Sequence, residues 1–104
     1  MLMAELTTAV TNDLPVKIIL LKNNRLGEVK FEQREIGNPE YGCDLGPVDF
    51  VAFAKACGAD GFRCERVEEI RPAIQAALNS PRAAIVEAVV DAHEKPAKPD
   101  ELKA

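Results

Sequence analysis

The sequence predicts an α/β fold, a three-layer α/β/α arrangement with a small parallel sheet. Three observations carry this. Runs of Val, Ile, Leu and Ala at residues 15–21 and 83–90 read as strands covered on both faces. Helix-spaced apolar stripes lie between and around them. Aromatic residues are scarce, with four Phe, one Tyr and no Trp, which suits helix-covered strands better than a β-sandwich. Strands alternating with helices through short turns then imply right-handed crossovers and parallel pairing.

Taken in order, residues 2–12 form a helix, because Met3, Leu6 and Val10 recur at helical spacing and Asn12-Asp13 followed by Leu14-Pro15 stops the pattern. The chain begins inside this helix, without the strand and turn that usually lead into one. Residues 15–21 are the first strand. Its apolar run breaks abruptly at Lys22-Asn23-Asn24, which places polar groups at the carboxyl edge of a sheet, where open α/β folds bind ligands. Residues 23–27 are a turn and residues 28–35 a short exposed helix with Val29 and Gln33 on one side. Residues 36–47 contain three Gly and two Pro and read as a loop; loops of that length inside a compact domain are usually functional.

Asp49 caps the next helix, which turns Phe50, Val51, Phe53, Ala54 and Cys57 inward and stops at Gly58. Residues 62–65 make a short second strand. Glu68 and Glu69 set negative charge at the start of another helix, with Pro72 tolerated in its first turn and Ile70, Ile74, Ala77 and Leu78 as its buried stripe. Residues 83–90, AAIVEAVV, are the third strand. Residues 1–92 thus form one folded domain, and residues 93–104 are a polar, proline-bearing tail or linker.

Composition excludes several classes of function. A net charge of −4 with no basic cluster argues against nucleic acid or an anionic membrane as partner. No segment is apolar enough to span a bilayer and the first residues do not resemble a signal peptide, so a cytoplasmic location is expected. Cys43, Cys57 and Cys64 are odd in number and lack metal-type spacing; Cys57 and Cys64 read as small buried residues.

Four stretches in their order, MLMAELTTAV, LPVKIILLKNNRLGEVKFEQ, DFVAFAKACGADGFRC and RAAIVEAVVD, resemble the carboxyl-terminal, pyrophosphate-binding domain of thiamine-diphosphate-dependent enzymes. The resemblance is closest to pyruvate oxidase and quinone-linked pyruvate dehydrogenase, with acetolactate synthase next. It implies binding of thiamine diphosphate and magnesium, a keto-acid substrate, and FAD in the parent enzyme but not on this chain. In that family a Gly-Asp-Gly sequence and a later Asn-Asn pair hold a divalent ion through oxygen ligands, and the ion holds the diphosphate. The resemblance puts the metal-ligating Asn on Asn23, with Asn24 the alternative, and the ligating carbonyl on Arg25. Leu26 and Gly27 align with the cofactor-binding turn, and Glu32 matches an acid near the substrate in the pyruvate oxidase branch.

The sequence contains no Gly-Asp-Gly, which is expected just ahead of Met1, so the chain reads as an amino-terminally truncated domain, inactive alone. Homo-oligomerisation or upstream domains would complete it. The competing reading is a non-catalytic module that self-associates or binds a partner through an exposed sheet edge. Without the family, Asn-Asn after a strand is an ordinary turn, and Glu28, Lys30, Glu32 and Arg34 form a solvated helix face. Lys17 extends along the sheet, Phe50 and Phe53 are core residues, and His93 carries no role.

Overall fold

The computed structural model describes residues 4–91 and His93. The described residues form two compact units, one of residues 4–22 and 48–90, the other of residues 23–47 with Asp91 and His93. The expected tail at residues 93–104 lies, apart from His93, outside the described residues.

The first unit contains α1 (Glu5–Thr11), β1 (Lys17–Lys22), α3 (Phe50–Ala56), β2 (Asp60–Cys64), α4 (Val67–Asn79) and β3 (Ala84–Val89); the second contains α2 (Gly27–Glu35). All three strands are parallel and lie in the order β1-β3-β2. The last strand in sequence is therefore the middle one. Its side chains alternate between two helical layers, as the two-residue period of a strand requires. Ile85 joins a buried cluster with Leu6 and Ala9 of α1 and Ala54 of α3. Ala84 and Val86 join Cys64 and Ala77 of α4 on the other face. The first unit is accordingly a three-layer α/β/α sandwich.

Each local feature has a cause in the sequence. Asp49 accepts the amide of Ala52 at 3.0 Å, capping α3. Gly58, at φ +84°, ends that helix in the left-handed conformation that glycine adopts without steric cost. Gly61 allows close contact: a Cβ there would meet the backbone of Val51 at 2.9 Å, so α3 crosses β2 closer than any side chain permits. At the amino-terminal end of the sheet, Lys17 Nζ donates to the carbonyls of Ser80, at 2.8 Å, and Arg82. Its stem runs along the sheet, and its charge locks β1 to the turn before β3.

Several expectations need correction. The first strand is not covered on both faces: β1 is an edge strand, and Ile18, Ile19 and Leu21 are 40%, 54% and 69% exposed. Its hydropathy matches that of a central strand, but among the described residues only one of its edges is paired. Pro72 lies inside α4, beyond the first turn, because the helix starts at Val67, ahead of the two glutamates. Ile70 and Leu78 are exposed, so the buried stripe of α4 reduces to Ala77 with half-buried Ala73 and Ile74. The second strand begins at Asp60, two residues ahead of its expected start, because Asp60 and Gly61 already pair with β3. Cys57 is half-buried, whereas Cys64 is buried, and all three cysteines are free.

Because the neighbour of Gly61 is backbone, it cannot rotate away. Gly61→Ala is expected to destabilise the fold by about 1–3 kcal/mol. Gly46→Ala, where a Cβ meets nothing within 4 Å, should stay within about 0.5 kcal/mol. Urea unfolding midpoints of the two variants check this.

Candidate functional site

Open parallel sheets bind ligands at their carboxyl end, and in the first unit that end is organised by one buried acid. Glu87, in the centre of β3, is fully buried. Its Oε2 accepts the amides of Phe50 at 3.2 Å and Val51 at 3.3 Å, with the Arg63 guanidinium 3.5 Å away. The ammonium of Lys22, the last residue of β1, lies 3.0 Å from Oε1. That contact is an ion pair without hydrogen-bond alignment, so Oε1 has no directed donor. Burial pushes the Glu87 carboxyl toward higher pKa, but Lys22, Arg63 and the Val51 amide outweigh it and hold it below the usual carboxylate range. Asp49 is likewise lowered, chiefly by the Ala52 amide and secondarily by Arg63, which it contacts at 2.7 Å. The amides at the start of α3 are thus taken by the chain's own carboxylates.

The polar turn lies in the second unit. Asn23 Oδ1 accepts the amide of Arg25 at 3.2 Å, and Asn24 is left-handed at φ +60°. Both are features of an Asn-built turn. Arg25 forms an antiparallel bridge with Asp44, closed by Leu26 N to Cys43 O at 2.7 Å and Leu45 N to Asn24 O at 2.8 Å. In a bridge bonded through the flanking residues, the N–H and C=O of the bridged residue both point away from the partner segment. The Arg25 carbonyl therefore faces the same side as the amide that Asn23 Oδ1 holds. Gly27 opens α2 beside them, and a Cβ there would stand 3.2 Å from Asn23 Nδ2. Leu26 caps α2 with no side-chain hydrogen bond.

The sequence-derived residues Asn23, Asn24, Arg25, Leu26 and Gly27 thus share one turn. Glu32 is exposed on α2 and its carboxylate makes no ion pair among the described residues. The solvated-face expectation fails for one of its members: Lys30 is buried at 8% exposure, paired with Glu40 at 3.1 Å and Asp44 at 3.3 Å. Glu40 is held below the usual carboxylate range by Arg34 first and then Lys30. Glu87 carries no motif in the sequence, yet an acid inside an otherwise apolar strand, with basic residues on both other strands, is a readable sign of a buried ion pair.

Among the described residues no three His, Cys, Asp or Glu side chains group closely enough to hold a metal ion. Two amide oxygens, Asn23 Oδ1 and the Arg25 carbonyl, remain as donors. They are hard and neutral, which fits part of a magnesium shell completed by phosphate oxygens and water. In the first unit a cavity of about 200 Å³ sits at the amino-terminal end of the sheet, lined by Val10, Asp13, Gly58 and Arg82 among others. No helix among the described residues is long and apolar enough to cross a membrane.

Residues 1–88 match the family model of the thiamine pyrophosphate enzyme C-terminal TPP-binding domain, and the chain belongs to that family. It is 39% identical over 90 residues to the thiamine pyrophosphate-containing protein YdaP of Bacillus subtilis (strain 168), a match covering 86% of this chain and 16% of that protein. It is 34% identical over 96 residues to chloroplastic acetolactate synthase 2 of Nicotiana tabacum, covering 83% and 14% respectively. Among solved structures it resembles a thiamine diphosphate-dependent 4-hydroxybenzoylformate decarboxylase from Rhodococcus jostii RHA1, with a TM-score of 0.77 at 25% identity, over 86% of this chain and 17% of that one. The chain therefore spans about a sixth of the length of these relatives, within the domain that binds thiamine pyrophosphate, also called thiamine diphosphate.

Since ionised Glu87 is favoured in the fold, its contribution to stability is complete above the ordinary carboxylate range and is lost as pH falls through the lowered value. Glu87→Gln keeps the shape and removes the charge. It should cost about 1–3 kcal/mol at neutral pH, and the gap from the parent should narrow below about pH 4. Urea midpoints at pH 7 and pH 3.5 measure it.

Proposed function

We propose that this chain provides the metal-side part of a thiamine diphosphate site in an enzyme acting on a keto acid. In this reading Asn23 Oδ1 and the Arg25 carbonyl hold magnesium, Asn24, Leu26 and Gly27 shape the turn that receives the diphosphate, and Glu32 faces the substrate. The observation that carries it is the Asn23 turn: its side-chain oxygen lies on the side toward which the Arg25 carbonyl points, beside a glycine that leaves room for the carboxamide. When bound, thiamine diphosphate supplies the electron sink for breaking the bond next to the keto group. The chain's own residues bind and orient.

Pyruvate is the keto acid favoured here, because Glu32 matches an acid near the substrate in the pyruvate oxidase branch that the sequence resembles. Residues 1–92 act as a partial thiamine-diphosphate-binding domain and residues 93–104 as a tail or linker. FAD binding and the remaining cofactor contacts belong to the parent enzyme, supplied by other domains or by assembly into an oligomer.

The donor set is neutral, so magnesium has little to hold it besides the diphosphate itself. The 104-residue protein is expected to bind magnesium thiamine diphosphate weakly, with further loss in Asn23→Ala, and to turn over no pyruvate. Calorimetric titration and a pyruvate-consumption assay check both. Turnover by the pure chain, or affinity indifferent to Asn23→Ala, would sink the proposal.

A further inference from the structure

We infer that Lys30 is a positioning residue for the Asn23–Arg25 half-site, acting through Asp44 and Glu40 on the loop segment that pairs with the turn. The inference rests on the function proposed above. The turn's own Asn23–Arg25 hydrogen bond is supplemented by long-range ones. Its two long-range hydrogen bonds, at Asn24 O and Leu26 N, both go to residues 43–45 of the glycine- and proline-bearing loop. That segment is fastened in turn to one face of α2. Gln33 donates to the carbonyl of Tyr41 at 3.2 Å and accepts its amide at 3.1 Å, and Arg34 pairs with Glu40.

Lys30, Gln33 and Arg34 stand three and four residues apart, so they share that face. Gln33 is half-buried and Arg34 exposed; of the three only Lys30 is buried. A buried ammonium is stable only while its carboxylates stay in place, so it resists any shift of residues 40–44 more strongly than an exposed pair can. Asp44 is both an ion partner of Lys30 and the residue bridged to Arg25. Through it the position of the ammonium is transmitted to the backbone that aims the Arg25 carbonyl and the Asn23 carboxamide. A small cavity of about 90 Å³, lined by Lys30, Glu40, Tyr41, Gly42, Cys43 and Asp44, leaves space beside the ammonium that loop movement could fill.

The test compares Lys30→Met, which keeps the stem and removes the charge, with Lys30→Arg, which keeps the charge. Amide hydrogen exchange at Leu26 and Leu45 should quicken about tenfold in Lys30→Met while Val86 in the central strand is unchanged, and Lys30→Arg should lie near wild type. Affinity for magnesium thiamine diphosphate, read by NMR titration, should fall about tenfold in Lys30→Met and recover in Lys30→Arg. Exchange at Leu26 and Leu45 that ignores the loss of charge would overturn the inference. So would quickened exchange with unchanged affinity in a protein whose binding still depends on Asn23. If the wild type gives no binding signal, or Asn23→Ala leaves it intact, the functional reading fails and the inference falls with it. Should Lys30→Met unfold, Asp44→Asn decides, because the Asp44 side chain is 78% exposed and outside the core; it must show the same selective quickening.

Discussion

The carboxylate of Glu87 is the constraint on which the first unit depends. Buried on the central strand, it would be unstable there as an ion without partners from several directions. Lys22 comes from the end of β1, Arg63 from β2, and the amides of Phe50 and Val51 from the start of α3. One side chain thus requires three other elements to arrive in register at the carboxyl end of the sheet. The amino-terminal end has a looser counterpart, where Lys17 binds the turn carbonyls and Ser80 bonds Asp60. Between the two polar ends, β3 contributes Ile85 to one helical layer and Ala84 and Val86 to the other. The apolar core is made mostly of small side chains, so its close packing leans on exact approach distances such as that of α3 over Gly61.

Much of this was readable from residue order. AAIVEAVV announces a buried strand, Asp49 and Gly58 bracket α3, and alternating strands and helices give parallel pairing. The place of each strand in the sheet was not readable. β1 and β3 have similar hydropathy, yet one is an edge and the other central, because strand order follows from long-range packing that no local window contains. The interior place of Pro72 in α4 is hidden for a related reason. Glu68 and Glu69 suit a first turn, but Val67 enters the helix ahead of them and leaves Pro72 in its interior.

The candidate site shows the same division. Asn23, Asn24 and Gly27 declare a turn by residue type alone, and the turn is present with the hydrogen bond such residues favour. The ordinary and the functional readings of Asn-Asn are not rivals here, since the hydrogen bond that makes the turn also sets the Asn23 oxygen on the side toward which the Arg25 carbonyl points. What residue order concealed is the support. The pairing of residues 24–26 with 43–45, and the burial of Lys30 under Glu40 and Asp44, join residues far apart in sequence whose charges look like an ordinary solvated surface.

Under the proposed function the residue 23–27 turn, and not the cavity at the amino-terminal end of the sheet, receives the diphosphate and its metal. Backbone amide shift mapping of the 104-residue protein with magnesium thiamine diphosphate tests it most directly. Magnesium-dependent shifts concentrated at Asn23, Asn24, Arg25 and Gly27 are expected. Shifts centred on Val10, Asp13, Gly58 and Arg82, with the turn unmoved, would contradict it.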